Sequence, residues 1–369
     1  MEHGKSENIP FILAAFGTSP SRTWNADTRT SPAASPPKRA CTAIHWQLQY
    51  ELADSLLRST SQVAASLFRE LIGCCSQKTN SEKIMHISRA VITAAGPGQQ
   101  ALPLQQIVNR HGTDATALEL ILDEVVEAGV EEICVVICPG FADQYSAAAG
   151  VHASRLTFVE QSNPAGYGDA LLRSESFVGN SPFLHLVGDH LYVSSTERGC
   201  ARQVVELATA EECAVSGVQS TRENMLPHFG TVGGQRVANR RDLYEISNVI
   251  EKPTPTVAEQ ELVVAGLRAS HYLCLFGVHV LPSTIMTILR EMAAVENGGN
   301  FQLSPALAEL ARRERYLALQ VQGSRYNIGM KYGLLRSQLA LALAGDDRDQ
   351  ILTELLELVA TRNVNSVES

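Results

Sequence analysis

From Met85 onward, short apolar runs alternate with stretches in which apolar residues recur at helical spacing. Ala90–Ala95 is a run with β-branched residues and predicts a buried strand, which breaks directly into Gly96-Pro97-Gly98. Residues Ala115 to Ala128 read as an amphipathic helix, with Asp114 placed to cap it and Gly129 to end it. The same reading predicts strands at Glu132–Cys138, Leu156–Glu160, Phe183–Val187, Cys213–Gln219, Val249–Glu251 and Tyr272–Val280, and a helix over Asp169–Phe177. Residues from Tyr332 to Ala360 read as helical, interrupted at Gly345-Asp346-Asp347. Such alternation predicts an α/β domain, its sheet mostly parallel and covered by helices on both faces.

The first 84 residues have another texture. Residues 17–40 are dominated by Ser, Thr, Pro and Ala and lack the apolar side chains needed to offset the entropy of ordering, so disorder is expected there. Leu48, Leu52 and Leu56, then Val63, Leu67 and Leu71, fall at helical spacing and predict one amphipathic helix. The expected organisation is therefore an extension over residues 1–84 and a domain with C-terminal helices over residues 85–369.

Composition narrows the class. The chain of 369 residues is 45% hydrophobic and 19% charged, enough for a large core in a soluble protein. No apolar run approaches the ~20 residues of a membrane helix. Phe11–Phe16 is too short for a signal core and follows an acidic start, so a cytoplasmic location is expected. The eight cysteines form no CxxC pair, and Cys134, Cys138 and Cys274 lie in apolar runs, so no disulfide framework is expected. Residues 1–84 carry nine Lys and Arg against seven Asp and Glu, which leaves the remainder at −11 in a chain of formal charge −9. So acidic a body is a poor binder of nucleic acid, and an anionic ligand would need local donors.

Four stretches offer such donors. The loop Gly96-Pro97-Gly98 follows a strand, where glycines let backbone N–H groups converge on phosphate oxygens. Gln161-Ser162-Asn163-Pro164-Ala165-Gly166-Tyr167-Gly168-Asp169-Ala170 joins a strand to a helix: the Gln161 amide can read a base edge, and Gly166 and Gly168 permit close approach. His185-Leu186-Val187-Gly188-Asp189 ends a strand in a carboxylate that can hold Mg²⁺ together with substrate phosphates. In Glu251-Lys252-Pro253, the Lys252 ammonium suits a phosphate and Glu251 suits sugar hydroxyls, with Gly230 of His228-Phe229-Gly230 offering backbone to the same sugar. Read singly, each of these is an ordinary turn; no Ser/His/Asp, Cys/His or zinc-protease arrangement accompanies them.

In their order and spacing, the four stretches resemble the sugar-1-phosphate nucleotidyltransferases, and among them the bacterial UTP–glucose-1-phosphate uridylyltransferases, over about residues 87–343. Ala95, Gly96 and Gly98 match the family's opening loop, Gln161 to Ala170 its base-reading loop, Asp189 its metal aspartate, and Glu251 and Lys252 its sugar-phosphate motif. Weaker echoes lie at Gly298–Leu303 and Tyr326-Asn327-Ile328-Gly329. The resemblance implies a Rossmann-like core and Mg²⁺ as cofactor. It also implies UTP and glucose 1-phosphate as partners, leaves room for a homo-oligomer, and implies formation of UDP-glucose with release of pyrophosphate. Departures fall at the chemistry. Gln99-Gln100 stand where the family carries Thr-Arg; Asn109-Arg110 replace its Pro-Lys, leaving Arg110 as the expected triphosphate cation; and Asn327 stands for its second metal aspartate, a weaker ligand beside Asp189. The implied function is uridylyl transfer at reduced rate, the alternative being a silent nucleotide-sugar-binding sensor or regulatory subunit.

Overall fold

The computed structural model describes residues 85–296 and 301–364, all within one compact unit spanning Glu82–Ser369. The expectations for residues 1–84 and for Gly298–Asn300 lie outside the described residues.

In chain order the elements are β1 (Arg89–Thr93), the hairpin β2 (Gln106–Val108) and β3 (Asp114–Thr116), α1 (Ala117–Glu127), β4 (Glu132–Ile137), α2 (Ala142–Ala148) and β5 (Leu156–Glu160). Next come α3 (Tyr167–Leu172), α4 (Glu175–Val178), β6 (Phe183–Val187), β7 (His190–Ser194), α5 (Cys200–Glu211), β8 (Ala214–Arg222), β9 (Thr231–Arg236), β10 (Leu243–Ile250) and α6 (Pro255–Glu261). The last are β11 (His271–Leu281), α7 (Thr284–Glu296), α8 (Leu303–Arg313), β12 (Tyr316–Gln320), β13 (Gly323–Asn327), α9 (Gly333–Leu343) and α10 (Arg348–Val364).

The main sheet runs β5-β4-β1-β6-β11-β8-β12-β10-β9. Side chains alternate across it as the two-residue period of a strand requires. Ala90 and Ile92 of β1 and Ile133, Val135 and Ile137 of β4 enter the core formed with α1 and α5. Val91, Cys134 and Val136 enter the core formed with α3, α7 and α8. Both faces are thus covered, which explains why these strands are apolar at nearly every position.

The sheet is mixed, which corrects the expectation of a mostly parallel one. β5, β4, β1 and β6 are parallel, but β11 runs antiparallel to β6 and β8, and β10 runs antiparallel to β9 and β12. β9 also pairs with β11 at Leu273 and Cys274, so the pairings β11–β8–β12–β10–β9–β11 close into a small barrel. A central strand is buried alike whichever way it runs, so its direction leaves no mark in the sequence; the closure itself is permitted by Gly277. It takes a φ of +84° inside a register break between Leu275 and His279, so one edge of β11 serves β9 before the break and β6 after it. A Cβ here would lie 2.8 Å from Val187 Cγ2.

Local boundaries also differ from the sequence reading: the strand expected at Val249–Glu251 begins at Leu243, and the one expected at Cys213–Gln219 runs on to Arg222. Thr116, not Asp114, caps α1, through a capping box in which its Oγ1 accepts the Glu119 N–H at 3.0 Å. The helix expected over Asp169–Phe177 is two short pieces, α3 and α4; at the junction Ser174 donates its hydroxyl to Leu171 O at 2.7 Å. The described cysteines are free. No helix among the described residues is long and apolar enough to cross a membrane.

Candidate functional site

A cavity of about 440 Å³ opens at the carboxyl ends of β1 and β6, the place where open α/β sheets bind ligands. Its lining includes Ala95, Gly96, Gln161, Gly166, Asp189, Gly230, Glu251, Lys252 and Asn327. Residues from six separate stretches of sequence are thus brought to one cavity. Gly98, Gly168 and Arg110 are not among them.

The glycine loop is held from beneath. Tyr145 is buried and donates its hydroxyl to Gln100 O at 2.9 Å, while Gly188 N–H donates to Thr93 O at 2.9 Å. Gln99 lies over the loop: a Cβ on Gly96 would meet its Oε1 at 2.5 Å. Gln100 turns inward, and its amide oxygen is buried without a hydrogen-bond partner. Gly98 (φ +73°) forms the exposed turn itself.

Gln161 is buried at the end of β5. It donates to Gly166 O at 3.2 Å and to Asp169 Oδ2 at 2.6 Å; Asp169 in turn is held by Arg173 at 2.8 Å. Both amide hydrogens are thereby engaged, which leaves its carbonyl oxygen as an acceptor. Gly166 (φ +104°) makes the backbone turn that brings its carbonyl to this amide. Gly168 has a different role from the one its motif implied: a Cβ there would lie 2.6 Å from the Phe301 ring, so the glycine lets α3 pack.

On the opposite wall, Glu251 Oε2 accepts a hydrogen bond from Ser304 Oγ at 2.5 Å, and its Oε1 lies 3.6 Å from Lys252 Nζ. Lys252 adopts φ +46°, a left-handed conformation unusual for a side-chain-bearing residue, fixed by its N–H donating to Phe229 O at 3.2 Å. Its ammonium end is largely exposed. Gly230 makes room for this pair, since a Cβ would fall 2.7 Å from Ser304 Oγ and 3.1 Å from Glu251 Oε2. Gly230→Ala is therefore expected to lower thermal stability by about 1–3 kcal/mol and to weaken sugar binding by displacing Glu251. Unaltered calorimetric affinity for a sugar phosphate would count against that placement.

Asp189 anchors the floor. Its Oδ1 accepts from His190 Nδ1 at 2.7 Å and its Oδ2 from Asn327 Nδ2 at 3.3 Å. Burial works to raise its pKa, but His190, its own N–H and Asn327 outweigh burial and hold the carboxyl below its usual range. Asn327 Oδ1 is taken by the Gly329 N–H at 2.8 Å, so this amide turns its nitrogen, not its oxygen, to Asp189. No group of three His, Cys, Asp or Glu suited to a metal exists among the described residues. Mg²⁺ commonly takes one or two carboxylates and completes its shell with phosphates and water. The donor set fits such an ion when it arrives with a phosphate ligand, with Asp189 as the carboxylate; Asn327 would join only by turning its amide.

Arg110, expected as the triphosphate cation, is not brought to the cavity. It sits in the turn between β2 and β3, where Asn109 N–H donates to Thr113 O at 2.8 Å and Asp346 N–H to Arg110 O at 2.9 Å. These bonds tie the turn to the α9–α10 link, and the side chain is exposed. Conversely, the structure adds His190, Gln99, Tyr167 and Ser304 to the wall. Only the two residues that sit inside the quoted motifs, Gln99 and Tyr167, carried any signal in the sequence.

Under the cavity lie two buried histidines with rings stacked 5.8 Å apart. His185 donates Nδ1–H to Val91 O at 2.9 Å, so its Nε2 accepts from Tyr167 OH at 2.7 Å. His279 Nδ1 is 2.5 Å from Ser216 Oγ. Burial pushes the His185 pKa down to about 4 and that of His279 well below its usual value. A histidine with a depressed folded pKa contributes stability that is complete above its unfolded pKa of ~6.5 and is lost as pH falls toward the folded value. From pH 7 to pH 4 the chain should therefore lose about 3 kcal/mol through His185 alone, with His279 adding in the same direction. Denaturant titrations at several pH values, repeated on His185→Gln, test this; a loss of the same size in the variant would exclude His185 as its source.

No family model matches the chain. The UTP–glucose-1-phosphate uridylyltransferase YngB of Bacillus subtilis is 27% identical over 300 residues, covering 74% of this chain and 96% of the relative. A UTP–glucose-1-phosphate uridylyltransferase of Streptococcus pyogenes is 26% identical over 284 residues, covering 70% and 89%. Among solved structures, a UDP-glucose pyrophosphorylase complexed with UDP-glucose matches with a TM-score of 0.55 at 22% identity, covering 69% of this chain and 98% of that one. A UTP-bound UGPase from Acinetobacter baumannii matches with a TM-score of 0.56 at 21% identity, covering 73% and 99%.

Proposed function

We propose that this chain, a distant homologue of the UTP–glucose-1-phosphate uridylyltransferases, is a sugar nucleotidyltransferase whose cavity takes UTP and glucose 1-phosphate or their product UDP-glucose, with turnover reduced by its own substitutions. The observation that carries the reading is one cavity gathering the glycine loop, Gln161, Asp189, Glu251 and Lys252.

Each residue has a task in that reading. The backbone of Ala95 and Gly96 cradles phosphate oxygens. Gln161, its amide hydrogens held by Asp169 and Gly166, accepts the N3–H of a uracil. Glu251, fixed by Ser304, accepts sugar hydroxyls with Gly230 beside it, and Lys252 binds the sugar phosphate. In the reaction, a phosphate oxygen of glucose 1-phosphate attacks the α-phosphorus of UTP and pyrophosphate leaves, a step governed by positioning and charge neutralisation. Mg²⁺, which Asp189 would hold, would supply part of that neutralisation. Lys252 is the one Lys or Arg among the described residues lining the cavity, which supports slow turnover.

Pyrophosphate release over a matrix of nucleoside triphosphates and sugar 1-phosphates tests the reading. The expected result is slow release, highest for UTP with glucose 1-phosphate. Release for another pair at an ordinary rate of roughly 1–10³ per second would overturn both the substrate assignment and the reduced rate.

A further inference from the structure

Arg325 is a buried cation without a counter-ion among the described residues. It lies on β13 opposite Tyr192 of β7 and is 8% exposed. One of its terminal nitrogens donates to Gln219 Oε1 at 3.2 Å, while its Nε is buried with no hydrogen-bond partner. The guanidinium carbon stands 3.9 Å from the centre of the Phe229 ring and 5.9 Å from that of Phe276. Burial pushes its pKa down, but only to about 10, so the group is charged at neutral pH. A buried charge held by one amide, the Cys274 thiol and two aromatic faces, with no carboxylate partner among the described residues, is expensive in the empty protein. A sequence that keeps such a feature commonly does so at a functional site.

Its position indicates what it serves. Phe229 lines the cavity together with His228 and Gly230, and the Phe229 carbonyl accepts the Lys252 N–H. The guanidinium therefore sits directly behind the wall to which Lys252 and Gly230 belong. The cavity is lined by two carboxylates, Asp189 and Glu251, and one Lys or Arg side chain, Lys252. By itself it is a poor host for an anion.

We propose that Arg325 is the hidden cation of this site: acting through the Phe229 ring, it favours a ligand that carries a sugar-linked phosphate or pyrophosphate. This rests on the assignment of the cavity to nucleotide sugars. Arg325 touches no reacting atom and is not a catalytic residue. The charge is uncompensated in the empty protein and compensated in the complex, so its removal should affect the two states in opposite directions. A purely structural cation–π contact would instead be missed in both.

The test uses the full chain and its Arg325→Met variant. Thermal unfolding is followed without ligand, and calorimetry measures binding of UDP-glucose and of uridine, which has the base but no phosphate. The expected result is a higher unfolding temperature for the empty variant, UDP-glucose affinity reduced on the order of ten-fold, the size expected of a unit charge at an effective dielectric near ~20, and unchanged uridine affinity. Arg325→Lys, which retains the charge, should keep most of the UDP-glucose affinity. A lower unfolding temperature, or loss of cooperative unfolding, in the methionine variant would overturn the proposal, as would equal UDP-glucose affinity in native and methionine proteins. Native protein that binds neither ligand would overturn the nucleotide-sugar assignment as well, so the two failures are distinguishable.

Discussion

Replacing Gln100 with arginine and Asn327 with aspartate in one chain is expected to raise pyrophosphate release by about 10²-fold or more, and by more than either change alone. The reasoning starts from charge. A triphosphate reacting at its α-phosphorus needs cations near the departing pyrophosphate, and removing one preorganised stabiliser typically costs about 10²–10³ in rate. Gln100 is next to the cavity-lining Gln99; its own amide oxygen is buried without a partner, so replacing it breaks no hydrogen bond of that oxygen, and the arginine must turn outward to reach the cavity. Asn327 is different. Its Nδ2 is 3.3 Å from Asp189 Oδ2, so Asn327→Asp sets two carboxylates against each other. That single variant should unfold at lower temperature than the native chain without Mg²⁺ and recover when Mg²⁺ is added, since a divalent ion is shared by paired carboxylates. Calorimetric scans with and without Mg²⁺ check the ion site separately from turnover. An unchanged response to Mg²⁺ would show that position 327 does not face the metal.

The second large effect is expected from Lys252→Ala, which should weaken glucose 1-phosphate binding by roughly 10- to 150-fold, the equivalent of a charge-assisted hydrogen bond of about 1.5–3 kcal/mol. UTP binding should change far less. Lys252 follows β10, whereas the glycine loop follows β1, so the two ligand halves rest on different strands. The ion pair to Glu251 does not alter the sign: at 3.6 Å and with a largely exposed ammonium it is a weak contact. Equal loss of both affinities by calorimetry would contradict the division of the wall into nucleotide and sugar halves.

Much of this site is legible in the sequence because its parts sit at the ends of short, mostly apolar strands. β1, β4, β5 and β6 are short, mostly apolar runs bounded by turn residues, the pattern that one sequence shows most clearly. Thr231–Arg236 and Gly323–Asn327 are not legible in this way. The first contains Gly233 and Gly234 and ends in Gln235-Arg236; the second reads Gly-Ser-Arg-Tyr-Asn and has no apolar alternation. Strand direction was equally hidden, because burial is the same whichever way a central strand runs. The mixed sheet turns on Gly277, whose left-handed backbone lets β11 change partners. Among the motif residues, Gly168 looked like part of a ligand loop but is a glycine because Phe301 fills the space of its side chain. Arg110 matches the position of a family cation, yet the β2–β3 turn holds it away from the cavity. His190 and Ser304 were missed because each acts on a neighbour, Asp189 or Glu251, through a contact that only the fold creates.

The most direct measurement is a calorimetric titration of UDP-glucose into the native chain with Mg²⁺ present. A single saturable site that is weakened about ten-fold or more in Lys252→Ala and unaffected in Arg110→Ala is the expected result, since Lys252 lines the cavity and Arg110 does not. Absence of saturable heat in the native chain, or a site lost in Arg110→Ala and kept in Lys252→Ala, would contradict it.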